Sequence, residues 1–333
     1  MTTILELKEK AIRFYSKNEV FLAPVLKFIM AFVIFVMINS SIGYMNSISS
    51  LPVAVILALL CSVIPINATI FLASVVILAD LYALSLEVCV VALLLFAVVY
   101  FIYFRFSPKN GYEVLLTTMS FKLNIPYLMP VGMGLLREVY SVFAMICGTV
   151  VYFFLHGVRE NAAVLGATAE EDGAGTSKIV VALNQLLGNK EMFLVLAILV
   201  VTMLIVYTIR RMSIENAWMI ANISGILFET IGLIAGYILL EIPGKTVGVL
   251  VGNVISCAIA FLLQFLFFNL DYSRTERLQF EDDEYYYYVK AVPKSTVAGT
   301  DKQIKRFGGK EERERLTKKQ FAEEMDIDEG LLD

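Results

Sequence analysis

The sequence predicts an all-α polytopic membrane protein with about eight transmembrane helices, some of them short or broken by proline, and a soluble C-terminal tail. Of its 333 residues, 58% are hydrophobic and 17% are charged, whereas soluble domains average about 45–50% apolar and about 25% charged residues. Mean hydropathy is +0.74. Uncharged runs approach or exceed the ~20 residues that cross a bilayer. These observations exclude a soluble enzyme, a disulfide scaffold, a coiled coil and a nucleic-acid-binding domain.

The N-terminal residues 1–20 form a cytoplasmic, amphipathic lead-in with four basic side chains. A basic start before an apolar run is also typical of a signal peptide. The apolar run at 21–44 is long for that purpose, and no small-residue cleavage site follows it. We therefore expect a retained first span, in which Lys27 extends back to the headgroups.

The next apolar stretch, 51–106, is too long for two passes and short for three. Pro65 divides a short piece at 51–64 from a span at 65–84, and a further span follows at 85–106. Residues 111–136 are irregular because they contain two prolines and two glycines within ten residues. Proline removes a backbone donor and clashes with the preceding turn, so a straight helix is not expected there. The residues of these broken helices are Pro65, Pro126, Pro130, Gly132 and Gly134.

Four more spans complete the predicted transmembrane domain, 21–270, at 137–158, 192–209, 214–240 and 247–270. A polar outer loop at 159–190 separates the first two, and we expect a short amphipathic helix at 177–187 lying on the membrane surface. Basic residues favour the cytoplasmic side. Their distribution places the chain in the cell membrane with both termini in the cytoplasm, and eight crossings agree with this orientation.

The seventh span carries the clearest pattern. A spacing of three or four residues places six side chains on one face of this helix. They are Trp218, Asn222, Gly225, Glu229, Gly232 and Gly236. The eighth span carries small residues at every fourth position, namely Gly248, Gly252, Ser256 and Ala260. Small faces let helices approach closely, so the structural interpretation is a tight hairpin of these two spans.

The functional interpretation of the same pattern rests on Glu229. An ionisable group deep in a bilayer costs about 2.5–3.5 kcal/mol on insertion scales that include Asp, Lys and Arg, and it is often functional. Glu229 could be protonated, bind a cation or pair with a base from another span. With Asn222 and Asn67 it forms the candidate intramembrane polar site. Interrupted segments around Pro65 and at 124–130 are the sequence signal of a transporter's midplane site, although proline kinks or a surface helix explain them equally well.

Chemistry-bearing motifs do not appear in the sequence. The four cysteines lie in apolar runs without a C-x-x-C pair, and the single histidine, His156, stands alone, so metal and disulfide chemistry are not expected. No nucleotide-binding loop or hydrolase motif is found. We therefore expect no enzyme activity, no catalytic residues, no cofactor and no metal, and an ATPase driving transport would be a separate chain.

The predicted cytoplasmic tail, 271–333, has 12 basic and 16 acidic residues, whereas residues 1–270 have 15 of each. It contains a strand-prone aromatic run, and we expect this strand to pair with another part of the chain or with a partner protein. A highly charged helix is expected at 310–325. The candidate partner-binding residues of the strand are Tyr285, Tyr286, Tyr287 and Tyr288.

Three parts of the chain carry a resemblance. The run from Asp271 to Arg277 leading into the 280–294 segment (DYSRTER, then FEDDEYYYYVKAVPK), together with the 103–106 turn and the 125–134 stretch, resembles an uncharacterised group of multi-pass membrane proteins of Gram-positive anaerobes. Members are loosely termed ABC-transporter permeases. The resemblance implies the membrane architecture and carries over no binding or catalytic residues.

Two functional hypotheses follow. The first is a membrane transporter or permease-like subunit of unknown substrate, with the lipid bilayer and, in an ABC-type system, an ATPase as partners. The alternative is a non-transporting membrane scaffold for envelope or secretion assembly, which recruits a cytoplasmic protein through its tail. A membrane-embedded enzyme ranks third because the sequence offers no convergent set of His, Asp and Cys.

Overall fold

The computed structural model describes residues 2–166, 174–212, 214, 216–242, 244–267, 276–281 and 286–291. The chain divides into two compact units, one of residues 7–295 and the other of residues 1–6 with 296–333. In the second unit, residues 2–6 form the first turns of a helix.

Helices dominate the described residues. In chain order the elements are α1 (Thr2–Lys17), α2 (Glu19–Ile42), α3 (Leu51–Val63), α4 (Ile66–Leu84), α5 (Leu86–Phe106), α6 (Gly111–Lys122), α7 (Leu128–Leu136), α8 (Ser141–Glu160), α9 (Ala162–Leu165), α10 (Ala174–Leu187), α11 (Lys190–Arg211), α12 (Ala217–Leu239), α13 (Lys245–Phe267), β1 (Glu276–Glu281) and β2 (Tyr286–Ala291).

Seven helical stretches of the described chain are long and apolar enough to cross a membrane. They are α2, α4, α5, α8, the stretch Lys178–Arg211 whose apolar part is α11, α12 and α13. The shorter apolar helix α3 has 13 residues, which span ~20 Å. This confirms the predicted polytopic all-α fold, including its short member.

Hydrogen bonds at the two ends of α4 define the two ends of the bundle. Near the start of α4, the amide of Asn67 donates to the carbonyl of Pro108, which follows α5, at 3.2 Å; we call this the proximal end. Near the other end of α4, Asp80 accepts from the backbone N–H of Met45 at 3.0 Å and from Ser49 Oγ at 3.1 Å; we call this the distal end. Because α3 begins beside Ser49 and α4 begins at the proximal end, the short helix α3 completes a pass.

Pro65 separates α3 from α4. Ile64 and Pro65 are both extended, with ψ angles of 158° and 154°, because a proline disfavours helical geometry in the residue before it. The predicted break at Pro65 is therefore present as a turn between two antiparallel helices.

The irregular region 111–136 is a helical hairpin. α6 has 12 residues and α7 has nine, so each reaches ~14–18 Å, about half of a bilayer's hydrocarbon core. Glu113 near the start of α6 forms a salt bridge of 2.6 Å with Arg137, which follows α7. The hairpin therefore enters and leaves the bundle at the proximal end.

The tip of this hairpin is residues 123–127. Its turn is closed by a hydrogen bond from the N–H of Ile125 to the carbonyl of Ser120 at 2.9 Å. Asn124 has a φ of 59°, a left-handed conformation that asparagine tolerates better than most residues. Pro126 follows within the turn, where it interrupts neither helix.

The polar connection predicted at 159–190 contains the predicted amphipathic helix as α10. One face of α10 packs against α5 and α8, with Ala182 and Leu186 buried. This face covers part of the bundle, and the position of α10 on the membrane surface stays a prediction.

The described part of the tail is a two-stranded antiparallel hairpin. Glu276 pairs with Ala291 and Glu281 pairs with Tyr286. Of the two alternatives that the sequence left open for the tyrosine run, pairing within the chain is the one observed. Tyr285, residues 271–275 and the expected helix at 310–325 lie outside the described residues.

Candidate functional site

Glu229 lies at the middle of α12, as the thirteenth of its 23 residues. Its side chain is completely buried. Neither carboxyl oxygen has a hydrogen-bond partner among the described residues, and the described residues offer it no ion pair. Of the three states that the sequence left open for Glu229, pairing with a base is therefore not found within the described chain.

The packing of α12 on α11 places Thr202 near the depth of Glu229. A Cβ atom built at Gly232 would lie 3.5 Å from Ile198, and one built at Gly225 would lie 3.7 Å from Thr202 Cγ2. Glu229 lies between these two glycines, so Thr202 is within about one helical turn of its level. Thr202 is fully buried, and its hydroxyl has no partner in the described structure.

The packing of α12 on α13 adds two further polar residues at that depth. Asn222 donates to Gln264 Oε1 at 3.0 Å, which fixes the register of the antiparallel pair. Seven residues after Asn222 in α12, Glu229 is therefore level with the position seven residues before Gln264 in α13, which is next to Ser256. Asn253 is within about one turn of that level. Ser256 and Asn253 are 1% and 3% exposed.

These side chains share one property. Each is buried and has at least one polar atom without a hydrogen-bond partner among the described residues. The atoms are Thr202 Oγ1, Asn222 Oδ1, both Glu229 oxygens, both polar atoms of the Asn253 amide, and Ser256 Oγ. Leaving a buried polar group unsatisfied costs about 1–3 kcal/mol, so a cluster of such groups within α11, α12 and α13 is not explained by packing. We call it the Glu229 site.

The tip of the α6–α7 hairpin reaches toward this site. A Cβ atom built at Gly252 would clash with the Tyr127 ring and would lie 3.0 Å from the Asn124 carbonyl oxygen. Gly252 is one turn from Ser256, and Tyr127 is close enough to Glu229 for an electrostatic interaction. Gly252 therefore lets the hairpin tip approach α13 beside the Glu229 site.

The glycine face of α12 has a different partner from the one predicted. Cβ atoms built at Gly225 and Gly236 would clash with Val206 and Leu194 of α11, so this face packs on α11 and not on the small residues of α13. On α13, Gly252 receives Tyr127, as described above, and Gly248 has nothing within 4 Å. The predicted tight hairpin of facing small residues is thus wrong in its pairing, although α12 and α13 do pack together.

The remaining predicted site residues lie in three places. Asn67 is at the proximal end, where Tyr103 donates to its Oδ1 at 2.7 Å, and it does not belong to the Glu229 site. Pro65 separates α3 from α4. The last set belongs to the hairpin, at its tip or in α7, and comprises Pro126, Pro130, Gly132 and Gly134.

The α7 glycines explain how the hairpin fits between other helices. A Cβ atom at Gly134 would lie 2.8 Å from Val206 and 3.1 Å from the carbonyl of Met203, both in α11, and one at Gly132 would lie 3.6 Å from Leu263 in α13. Pro130 is the third residue of α7, where the first-turn N–H would lack a helical partner in any case.

Two members of the site, and the tyrosine of the hairpin tip beside it, were missed from the sequence. Thr202, Asn253 and Tyr127 lie far apart along the chain, and each is one polar side chain within an apolar segment. A search for every polar residue near the centre of a predicted span would have found Thr202 and Asn253. No such signal exists for Tyr127, because its position depends on the hairpin.

The composition of the Glu229 site limits what it can hold. It offers one carboxylate together with hydroxyl and amide oxygens, the ligands that hard cations prefer. Among the described residues, no group of three or more His, Cys, Asp or Glu could hold a metal ion. A single negative charge is neutralised by one proton or by one monovalent cation.

Comparisons with protein-family models, curated proteins and solved structures gave no match.

Proposed function

We propose that the chain is an integral membrane transport protein in which the Glu229 site handles a proton or a monovalent cation. The observation that carries the proposal is the buried, unpartnered Glu229 at the middle of α12, with further unsatisfied polar side chains on α11 and α13 within about one helical turn of its depth. An ionised side chain at this depth is expensive in a bilayer, and such residues mark ion pathways and proton relays. The substrate that would move with the ion is not identified by this site.

The broken helices support the same proposal. In transporters, half-length helices place unwound backbone near the midplane, where it meets the solute. Here α6 and α7 end beside Gly252, one turn from Ser256. Irregular backbone at this depth is tolerated only where protein buries it or where it lines a cavity. A hairpin tip next to the Glu229 site can therefore open or close access to it.

We further propose that the proximal end is cytoplasmic. Arg105 lies in the last turn of α5 and Lys109 follows the helix there, and the Arg210 side chain donates to the carbonyl of Leu135 at the end of α7. Basic residues concentrate on the cytoplasmic side of membrane proteins. In α1, Lys8 donates to the carbonyl of Phe265 at the end of α13 at 2.8 Å. The start of the first span and the end of the last span would therefore both face the cytoplasm.

Cysteine accessibility tests the proposal without knowledge of a substrate. The four native cysteines are replaced by alanine, and Ser256→Cys is introduced in α13. Val254→Cys, at nearly the same depth but 70% exposed on the outer surface of the bundle, and the fully buried Leu199→Cys are the matched controls. Each variant is reconstituted in vesicles and treated with a small, membrane-impermeant cationic thiosulfonate from either side.

A transport pathway predicts that Ser256→Cys reacts at least about tenfold faster than both controls, because the hydrocarbon core holds no water to carry the reagent. Prior loading with a monovalent cation should slow this reaction. If Ser256→Cys is as inert as Val254→Cys and Leu199→Cys from both sides, the Glu229 site is packed protein and the transport proposal fails.

The scaffold hypothesis is favoured by one observation in the tail. On strand β2, Tyr286 is 68% exposed, and Tyr287 and Val289 are exposed as well. Exposed apolar patches often mark protein interaction sites. A pulldown with the full-length chain and with Tyr287→Ser/Val289→Ser, whose two side chains lie on the same face of β2, should differ in one captured cytoplasmic protein if this face recruits a partner, and identical captures would reject it.

A further inference from the structure

A second site lies away from Glu229, in a cavity between α2, α4, α5, α6 and α8. Its volume is about 290 Å³, it is partly open, and most of its lining is apolar. This volume is near the lower limit of about 300 Å³ that is typical of ligand pockets. The helices around it contribute residues that are distant in sequence, such as Ile38, Ala73, Val99 and Leu115.

Most of the hydroxyl groups that line the cavity are already used within the protein. Ser74 Oγ is 2.7 Å from the hydroxyl of Tyr100. Thr118 Oγ1 donates to the carbonyl of Gly148 at 3.1 Å, and the Tyr103 hydroxyl donates to Asn67. These groups do not call for a polar ligand in the body of the cavity.

The lysine and arginine side chains of the lining, in contrast to the hydroxyl groups just described, carry a charge and have no acidic partner among the described residues. Lys122 is the last residue of α6 and Arg159 is the second-last residue of α8, and both line the cavity. Within the described part of the chain, no hydrogen bond or ion pair joins either of them to an acid. They are close enough to each other for mutual repulsion.

Glu160, the acid next to Arg159 in the sequence, has a different partner. Glu160 lies 3.3 Å from His156 Nε2, and the His156 ring stacks on Tyr152 with ring centroids 5.6 Å apart. His156 also lines the cavity. The distal half of the cavity wall is therefore cationic, whereas the proximal half, around Val114 and Tyr103, is not.

We propose that this cavity binds one membrane lipid with an anionic phosphate headgroup. The phosphate lies between Lys122 and Arg159, and an acyl chain occupies the apolar body of the cavity. Lysine and arginine donate charge-assisted hydrogen bonds to phosphate oxygens, and an anion there removes the repulsion between the two cations. This binding site is independent of the Glu229 site and of its proposed function.

Native mass spectrometry of the purified full-length chain tests this assignment. The protein in detergent is titrated with phosphatidylglycerol, with phosphatidylcholine of the same acyl chains, and with inorganic phosphate. The variants are Lys122→Gln, Arg159→Gln and the cavity-filling Ala73→Leu. Lys190→Gln is the matched control, since it removes one positive charge from an exposed position at the start of α11.

We expect one phosphatidylglycerol per chain, with binding about tenfold weaker in Lys122→Gln and Arg159→Gln, which corresponds to the loss of one charge-assisted hydrogen bond. Ala73→Leu should weaken binding although it retains every charge, and Lys190→Gln should bind like the wild type. Equal retention of phosphatidylcholine, whose headgroup is zwitterionic, would overturn the preference for an anionic headgroup. Equal effects of Lys190→Gln and Lys122→Gln would overturn the position, and saturable binding of inorganic phosphate would overturn a lipid in favour of a free anion.

Discussion

Replacement of Gly148 by alanine perturbs the contact that holds the α6–α7 hairpin in the bundle. A Cβ atom at this position of α8 would lie 2.7 Å from the carbonyl oxygen of Val114 and 2.8 Å from Thr117 Cβ, both in α6. Because one of these atoms belongs to the helix backbone, a side-chain rotation cannot remove the clash. Helix α6 must move outward by several tenths of an ångström, and the hydrogen bond from Thr118 to the Gly148 carbonyl lengthens with it.

The magnitude follows from two opposing effects. Overpacking typically costs about 1–3 kcal/mol, whereas alanine is favoured over glycine inside a helix by about 0.8–1.0 kcal/mol. Gly248→Ala in α13 isolates the second effect, because nothing lies within 4 Å of a Cβ there. We therefore expect Gly148→Ala to be about 1–3 kcal/mol less stable than Gly248→Ala.

The assay is thermal unfolding of both variants and the wild type in the same detergent, followed by fluorescence-detected gel filtration. For a chain of 333 residues, each kcal/mol corresponds to about 1.4 °C, so the two midpoints should differ by about 1–4 °C. If Gly148→Ala melts at or above the temperature of Gly248→Ala, α6 does not pack against α8 as described.

Two further predictions concern the proximal end. Arg137→Ala leaves the buried carboxylate of Glu113 without its 2.6 Å partner. Because Arg137 is itself half-exposed, the loss of stability should be about 1–2 kcal/mol, below the range for fully buried pairs. The same melting assay checks this loss, and the double variant Glu113→Leu/Arg137→Met should recover part of it. Tyr103→Phe removes the hydrogen bond to Asn67 and should cost about 0.5–1.5 kcal/mol of stability. Tyr82→Phe, on the exposed surface of α4, is the control and should melt like the wild type. Equal melting midpoints for the two phenylalanine variants would contradict the described contact.

The spans were predictable because their signal is local. A run of apolar residues ended by charged or turn residues fixes where a helix crosses, and Pro65 fixes where α3 ends, since proline acts on its own turn and on the residue before it. The depth of Glu229 followed from its position within such a run. These conclusions needed no knowledge of which helices are neighbours.

The partners of the helices were not predictable because they depend on contacts between distant segments. A small-residue face indicates close packing but does not identify the helix that packs on it. The sequence therefore predicts that Gly225 and Gly236 face α13, whereas they contact α11. The hairpin explains the error, since α7 and Tyr127 occupy part of the surface that α13 would otherwise offer. For the same reason, Lys122 and Arg159 could not be placed beside one cavity from the sequence.

The reactivity of Glu229 toward a hydrophobic carbodiimide tests the central claim most directly, because this reagent enters membranes and modifies protonated carboxyl groups. The full-length chain is reacted in vesicles over a range of pH and of sodium or potassium concentration, and modification is located by peptide mass spectrometry, with Glu229→Gln as the control. We expect modification at Glu229 at a rate that falls as pH or cation concentration rises, because the site exchanges its proton or cation with water. A carboxyl that does not react, or that reacts at a rate independent of both pH and cations, would contradict it.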